Sequence, residues 1–120
     1  MKKLIKIFLE KIMEQLNTIM TVYYEEAPKN TKFPYGVVPT LSITDLDYGY
    51  QCVFDVELYV NELSESNVEK LCDDLRNGMK NYSYRDNEVG FHVNFESQFL
   101  TKQNEQDLIY RRVTFIARIF

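Results

Sequence analysis

At 120 residues the chain has the length of one domain, 1–120, and enough of it to bury a core without staples. A hydrophobic content of 45% beside 27% charged residues excludes a disordered chain. The net charge of −4 argues against a nucleic-acid-binding surface, which needs a basic footprint. Nine Tyr and eight Phe with no Trp supply aromatic area for a core or an interface.

In chain order, Met1, Leu4, Ile5, Phe8, Ile12, Leu16 and Ile19 recur at three- and four-residue steps, which predicts an amphipathic helix over about 2–18. The basic start at Lys2 and Lys3 resembles a signal peptide, but Lys6, Glu10 and Lys11 interrupt the apolar run and no small-residue cleavage site follows. A cytosolic site of synthesis is expected, with no membrane span. "MTVYYEE" reads as a first strand and "YGVVPTLSI" as a second, at a sheet edge, with "SITDLDYG" as a hairpin tip. All three prolines, Pro28, Pro34 and Pro39, fall within residues 25–39. Each lacks a backbone donor, so a loop and an edge are expected there.

"GYQCVFDVELYVNE" alternates over a dozen residues. Tyr50, Cys52, Phe54, Val56, Leu58 and Val60 should face the core, with Asp55, Glu57 and Tyr59 on the opposite face. A second helix follows, with an apolar stripe of Val68, Leu71, Cys72, Leu75 and Met79. Ser64 or Ser66 is its cap, and Ser66 with Glu69 has capping-box spacing. After a turn-rich link, "FHVNFESQFL" and "LIYRRVTFIARIF" give two more strands. The last turns Val113, Phe115, Ala117 and Ile119 inward and Arg112, Thr114, Ile116 and Arg118 outward. The order is α-β-β-β-α-β-β. It predicts an α+β two-layer sandwich, with a mixed, mostly antiparallel sheet beginning as a three-stranded antiparallel meander and covered on one face by both helices.

Catalytic motifs are lacking: there is no phosphate loop, nucleophile elbow or HExxH. His92 shares an outward face with Asn94 and Glu96 and reads as solvated. Asp45 with Asp47, or Asp73 with Asp74, is too small a set for a cation without further oxygen ligands. Cys52 and Cys72 fall on apolar faces and read as buried free thiols, although a disulfide between them stays open. No cofactor, catalytic residue or metal is expected. The outward residues Asp55, Glu57, Tyr59, Arg112, Ile116 and Arg118 are the candidate interface. If their strands are neighbours, the charges make cross-strand ion pairs; if not, they seek another subunit.

Ala27-Pro28, a polar loop, then Phe33-Pro34-Tyr35 opening the next strand, set within this element order, resembles the tail-terminator (tail-completion, head-to-tail joining) proteins of long-tailed bacteriophages. The resemblance covers essentially the whole chain. It implies a non-enzymatic ring, usually a hexamer, that caps the tail tube, stops its polymerisation and docks on the head or neck protein. The site would be the head-proximal end of the virion's tail, assembled in the host cytoplasm, with DNA passing through the lumen without specific binding. The acidic block over 41–75 suggests a lumen or docking loop at Asp45, Asp47 and Tyr48, where like charge lets DNA slide. Another neck or tube component, or a cellular dimeric α+β binding module, are the competing readings.

Overall fold

The computed structural model describes residues 2–61, 65–102 and 108–120, with side chains at 2–60, 69–98 and 111–120. The elements are α1 (Lys3–Ile19), β1 (Val22–Tyr24), β2 (Tyr35–Val38), β3 (Leu41–Leu46), β4 (Gly49–Asn61), α2 (Glu65–Met79), β5 (Ser83–Arg85), β6 (Gly90–Lys102) and β7 (Leu108–Ile119). The seven strands form one sheet in the order β1-β2-β4-β7-β6-β5, and β3 also pairs with β4. The fold is α+β with a mixed sheet. Thirteen residues of β4 at ~3.3 Å each span ~43 Å, which matches the longest axis of the molecule, 45 Å.

The helical spacing of Ile5, Phe8, Ile12 and Leu16 puts all four in the core. There they join Cys72, Leu75 and Met79 of α2 and the inward rows of β4, β6 and β7. Phe8 sets its edge against Phe91 at 5.0 Å and Phe54 at 6.0 Å between ring centres, while Phe54 stacks on Phe115 at 5.5 Å. The helices touch closely near their C-terminal ends. Gln15 Nε2 donates to the Gly78 carbonyl at 3.0 Å, and a Cβ on Gly78 would lie 2.5 Å from Ile19 Cδ1. Gly78 thus admits the neighbouring helix rather than merely weakening its own last turn. At the exit from α1, the Asn17 amide accepts from Val22 N–H and donates to Val22 C=O, both at 3.1 Å, which turns the chain directly into β1.

Four expectations are corrected. The first strands do not form an antiparallel meander: β1 pairs β2 in parallel, Val22 opposite Gly36, because the loop over 25–34 carries the chain back along the sheet. Consequently β2 is not the edge, since β1 lies outside it. The expected second strand is two, β2 and β3, both on the same side of β4 and parted at Pro39-Thr40, where proline needs no ladder donor. The turn-rich link contains β5, paired to β6 through Ser83 and His92. A bulge between Phe95 and Ser97 interrupts the alternation of β6.

At the start of α2, Ser64 lies outside the described residues, as do the side chains of Ser66 and Val68. Ser66 falls inside the helix, and Glu69, its expected capping partner, instead holds Arg111 Nε at 3.2 Å.

Cys52 and Cys72 are free and buried. Burial pushes their thiols up to about 12 and about 11, respectively. At pH 8 a thiol reagent should therefore leave both unmodified in the folded protein and modify both in denaturant; rapid labelling of the native protein would contradict their burial.

Candidate assembly surfaces

The outward sheet face is built from alternate residues of the two central strands. β4 and β7 are neighbours and antiparallel, so Glu57 stands opposite Arg112, Asp55 opposite Thr114, Val53 opposite Ile116 and Gln51 opposite Arg118. Of the two arrangements left open by the sequence, the cross-strand one is present. It is not a simple set of ion pairs, however. Asp55 Oδ1 accepts from the Thr114 hydroxyl at 2.6 Å, and Arg118 stands between Gln51 and His92. Ile116 lies between Val53 and Asn94, leaving a short apolar strip in a polar face. His92 is half-buried and shares a hydrogen bond through Nδ1 with the Ser83 hydroxyl across β5 and β6.

At one end of this face is an aromatic cluster of which the sequence assigned only Tyr59 to the candidate interface. The cis peptide bond joins Phe33 to Pro34, and β2 begins at Tyr35. Phe33 stacks on Tyr35 at 5.6 Å, Tyr35 stacks on Tyr59 at 5.2 Å, and Tyr23 meets Tyr35 edge-on at 6.3 Å. Register explains the convergence: Tyr35 is opposite Tyr59, and Tyr23 is opposite Val37, which is opposite Glu57. All therefore project from the outward side. Val37 is only 5% exposed although it faces away from the main core. Burial, and then the Glu57 carboxylate, raise the Tyr59 phenol above its ordinary value. The signal for the cluster was Phe33-Pro34-Tyr35 itself, three residues from the loop into β2.

Asp45, Asp47 and Tyr48 sit at the β3–β4 hairpin, remote from the aromatic cluster along the sheet. Residues 42–46 are strand rather than loop, and the turn is confined to Asp47-Tyr48. Tyr48 is 81% exposed, and Ile43 and Leu46 are also exposed. Beside β3 runs an apolar groove lined by Ile5, Tyr24, Leu41, Ile43 and Tyr50, with Lys2 and Asp45 at its rim. Lys2 Nζ lies 5.1 Å from the centre of the Tyr50 ring.

Other charged groups are held locally. Asp73 pairs with Arg76 at 2.9 Å and Asp74 with Lys70 at 3.4 Å along α2. Asp86 is held below the usual carboxylate range by the backbone N–H groups of Val89 and Glu88 and by the Tyr84 hydroxyl, which order the turn before β6. Among the described residues, no three His, Cys, Asp or Glu side chains converge to hold a metal. Among them also, no helix is long and apolar enough to cross a membrane.

No protein-family model matches the chain, and no curated protein matches it in sequence. Among solved structures, a chain of the virion of a native gene transfer agent particle superposes with a TM-score of 0.72. This protein shares its fold with a virion component. The match covers 90% of each chain at 12% identity. A second solved structure, 16% identical, matches with a TM-score of 0.65 over 98% of this chain and 94% of its own. At these identities the likeness is one of fold.

Proposed function

We propose that the chain is a non-enzymatic structural subunit of a phage-like virion, and that its place is the tail terminator. In this reading it is a two-layer, single-domain subunit of a closed ring, a hexamer by resemblance. The ring caps the tail tube at its head-proximal end, stops polymerisation and meets the head or neck protein. The observation that carries the reading is the superposition on a virion chain over nine-tenths of both molecules. The Ala27-Pro28 and Phe33-Pro34-Tyr35 pattern supports the finer assignment.

The surfaces suit these roles. The charges of Asp55, Glu57, Arg112 and Arg118 stand among in-register polar neighbours, so the outward face offers mainly Tyr59 with Phe33, Tyr35 and Tyr23, and the Ile116 strip, to a tube or neck protein. Aromatic clusters of this kind make effective contact anchors. At the exposed hairpin Tyr48 suits a lumen or docking tip, with Asp45 and Asp47 beside it.

The test is negative-stain imaging of the purified protein, alone and mixed with tail tubes. Closed rings with a central hole, and density capping one end of each tube, are expected. Monomers at every concentration with bare tube ends would overturn the assignment.

A further inference from the structure

The register of the sheet gives it two side profiles that fit one another. Flanking β4 on one side, β2 and then β1 stand level with Glu57 and Leu58. Lower on the same side β3 stands alone, level with Gly49 to Phe54. This side therefore projects by one extra strand at one end and is recessed at the other, where the outer edge of β3 is open among the described residues. Beyond β7, β6 runs the full height, but β5 covers only Gly90 to His92. That side projects at β5 and is recessed beside the remainder of β6.

The levels agree. Gln51 stands opposite Thr44 on one side and Arg118 on the other; Arg118 is opposite His92, and His92 is opposite Ser83. So β5 is level with β3. Leu58 stands opposite Gly36, itself opposite Val22, while on its other side come Arg111 and then Leu100 of β6. So β1 is level with the open part of β6. Each projection matches, at the same height, the recess on the opposite side of the sheet.

We infer that copies of this chain join side to side through this fit, β5 of one copy against β3 of the next and β1 of that next copy against the open edge of β6. The inference rests on the ring reading and specifies its subunit contact. Strand directions permit it. β3 and β5 both run opposite to β4 and would pair in parallel, whereas the outer backbone groups of β1 at Val22 are already held by Asn17, so β1 would meet β6 by side-chain packing and not by a ladder. Because the levels match without an offset, the contact repeats without climbing. A head-to-tail contact of that kind closes into a ring, whereas one with axial displacement gives a filament.

Two further observations favour a second copy as the occupant. Exposed edges are normally guarded by proline, lysine or a bulge. β3, "LSITDL", has neither proline, lysine nor a bulge, its one charge is Asp45 near the hairpin, and it exposes Ile43 and Leu46 beside the apolar groove. Charge is also complementary. Arg85, the exposed last residue of β5, is level with Gly49, and the β3 partner of Gly49 is Leu46, flanked by Asp45 and Asp47. The seated β5 would bring a guanidinium to two carboxylates.

The test is a double variant, Thr44→Cys with Ser83→Cys, oxidised at ring-forming concentration and run on a non-reducing gel. The native thiols are buried and do not compete. Expected is a ladder of covalent multimers ending at the ring, with neither single variant progressing beyond a dimer. Ile43→Lys, which places a charge on the open edge, should raise the concentration needed for assembly at least tenfold while the monomer keeps its circular dichroism spectrum. Rings of the double variant that give no ladder on oxidation, with rings that persist in Ile43→Lys, would overturn the edge contact and leave the ring intact. A wild type that stays monomeric would overturn the ring reading itself.

Discussion

Replacing Phe8 with alanine is expected to lower the unfolding free energy by about 3–5 kcal/mol. Phe8 is fully buried on α1, and its ring meets Phe54 of β4 and Phe91 of β6 edge-on. One side chain thus ties the helix to two strands that are not neighbours, with β7 between them. Removing it takes away the apolar area and also leaves a cavity that strands fixed by their ladders cannot collapse to fill. A chain of this size has about 6–18 kcal/mol of stability in total, so the loss is a large share, and the midpoint of thermal unfolding should fall by ~15 °C. Phe8→Leu, which leaves a smaller void, should cost about 1–2 kcal/mol. Urea unfolding checks both, with an unchanged slope showing that the folded state carries the effect. A loss under about 1 kcal/mol for Phe8→Ala would show that α1 is not anchored through this ring.

The second large effect is expected at Gly49, where the hairpin enters β4. Its φ of +145° lies in a region open to glycine, and a Cβ there would stand 2.0 Å from the carbonyl oxygen of Ile119. Two costs coincide: a backbone conformation that L-residues avoid and a collision with main chain that cannot swing aside. Gly49→Ala should destabilise by about 3 kcal/mol, or force the hairpin away from the end of β7. Calorimetry reads the first, and faster amide exchange confined to β3 and the start of β4 reads the second. A neutral substitution would mean that the hairpin is not held against β7 as described.

Much of this architecture was legible because it rests on periodicity. The spacing from Ile5 to Leu16 places α1, and the alternation from Tyr50 to Val60 places the inward row of β4. The same alternation in β7 correctly separates Phe115 from Thr114 and Ile116. What periodicity does not encode is direction and adjacency. Nothing local tells β1 to run parallel to β2, since that depends on where the loop over 25–34 lands. Pro39 marks a break, but a proline alone does not say whether a strand ends or only bends there. The three residues of β5 are too few to alternate recognisably within a polar link. Arg111 keeps the inward parity of Val113, and that parity was the available clue to its burial against Glu69; its charge argued the other way. The aromatic cluster was hidden for a similar reason, because Tyr23, Tyr35 and Tyr59 meet only once three strands have found their register.

The central position of β7 carries a consequence for synthesis. Although it is the last strand in chain order, it joins β4 to β6, pairing Tyr50 with Ile119 and Phe91 with the same residue. While the ribosome is still making β7, the two halves of the sheet have nothing to hold them together, and the inward rows of β4 and β6 stay exposed. Until β7 has been made and paired, β4 and β6 therefore cannot share one sheet.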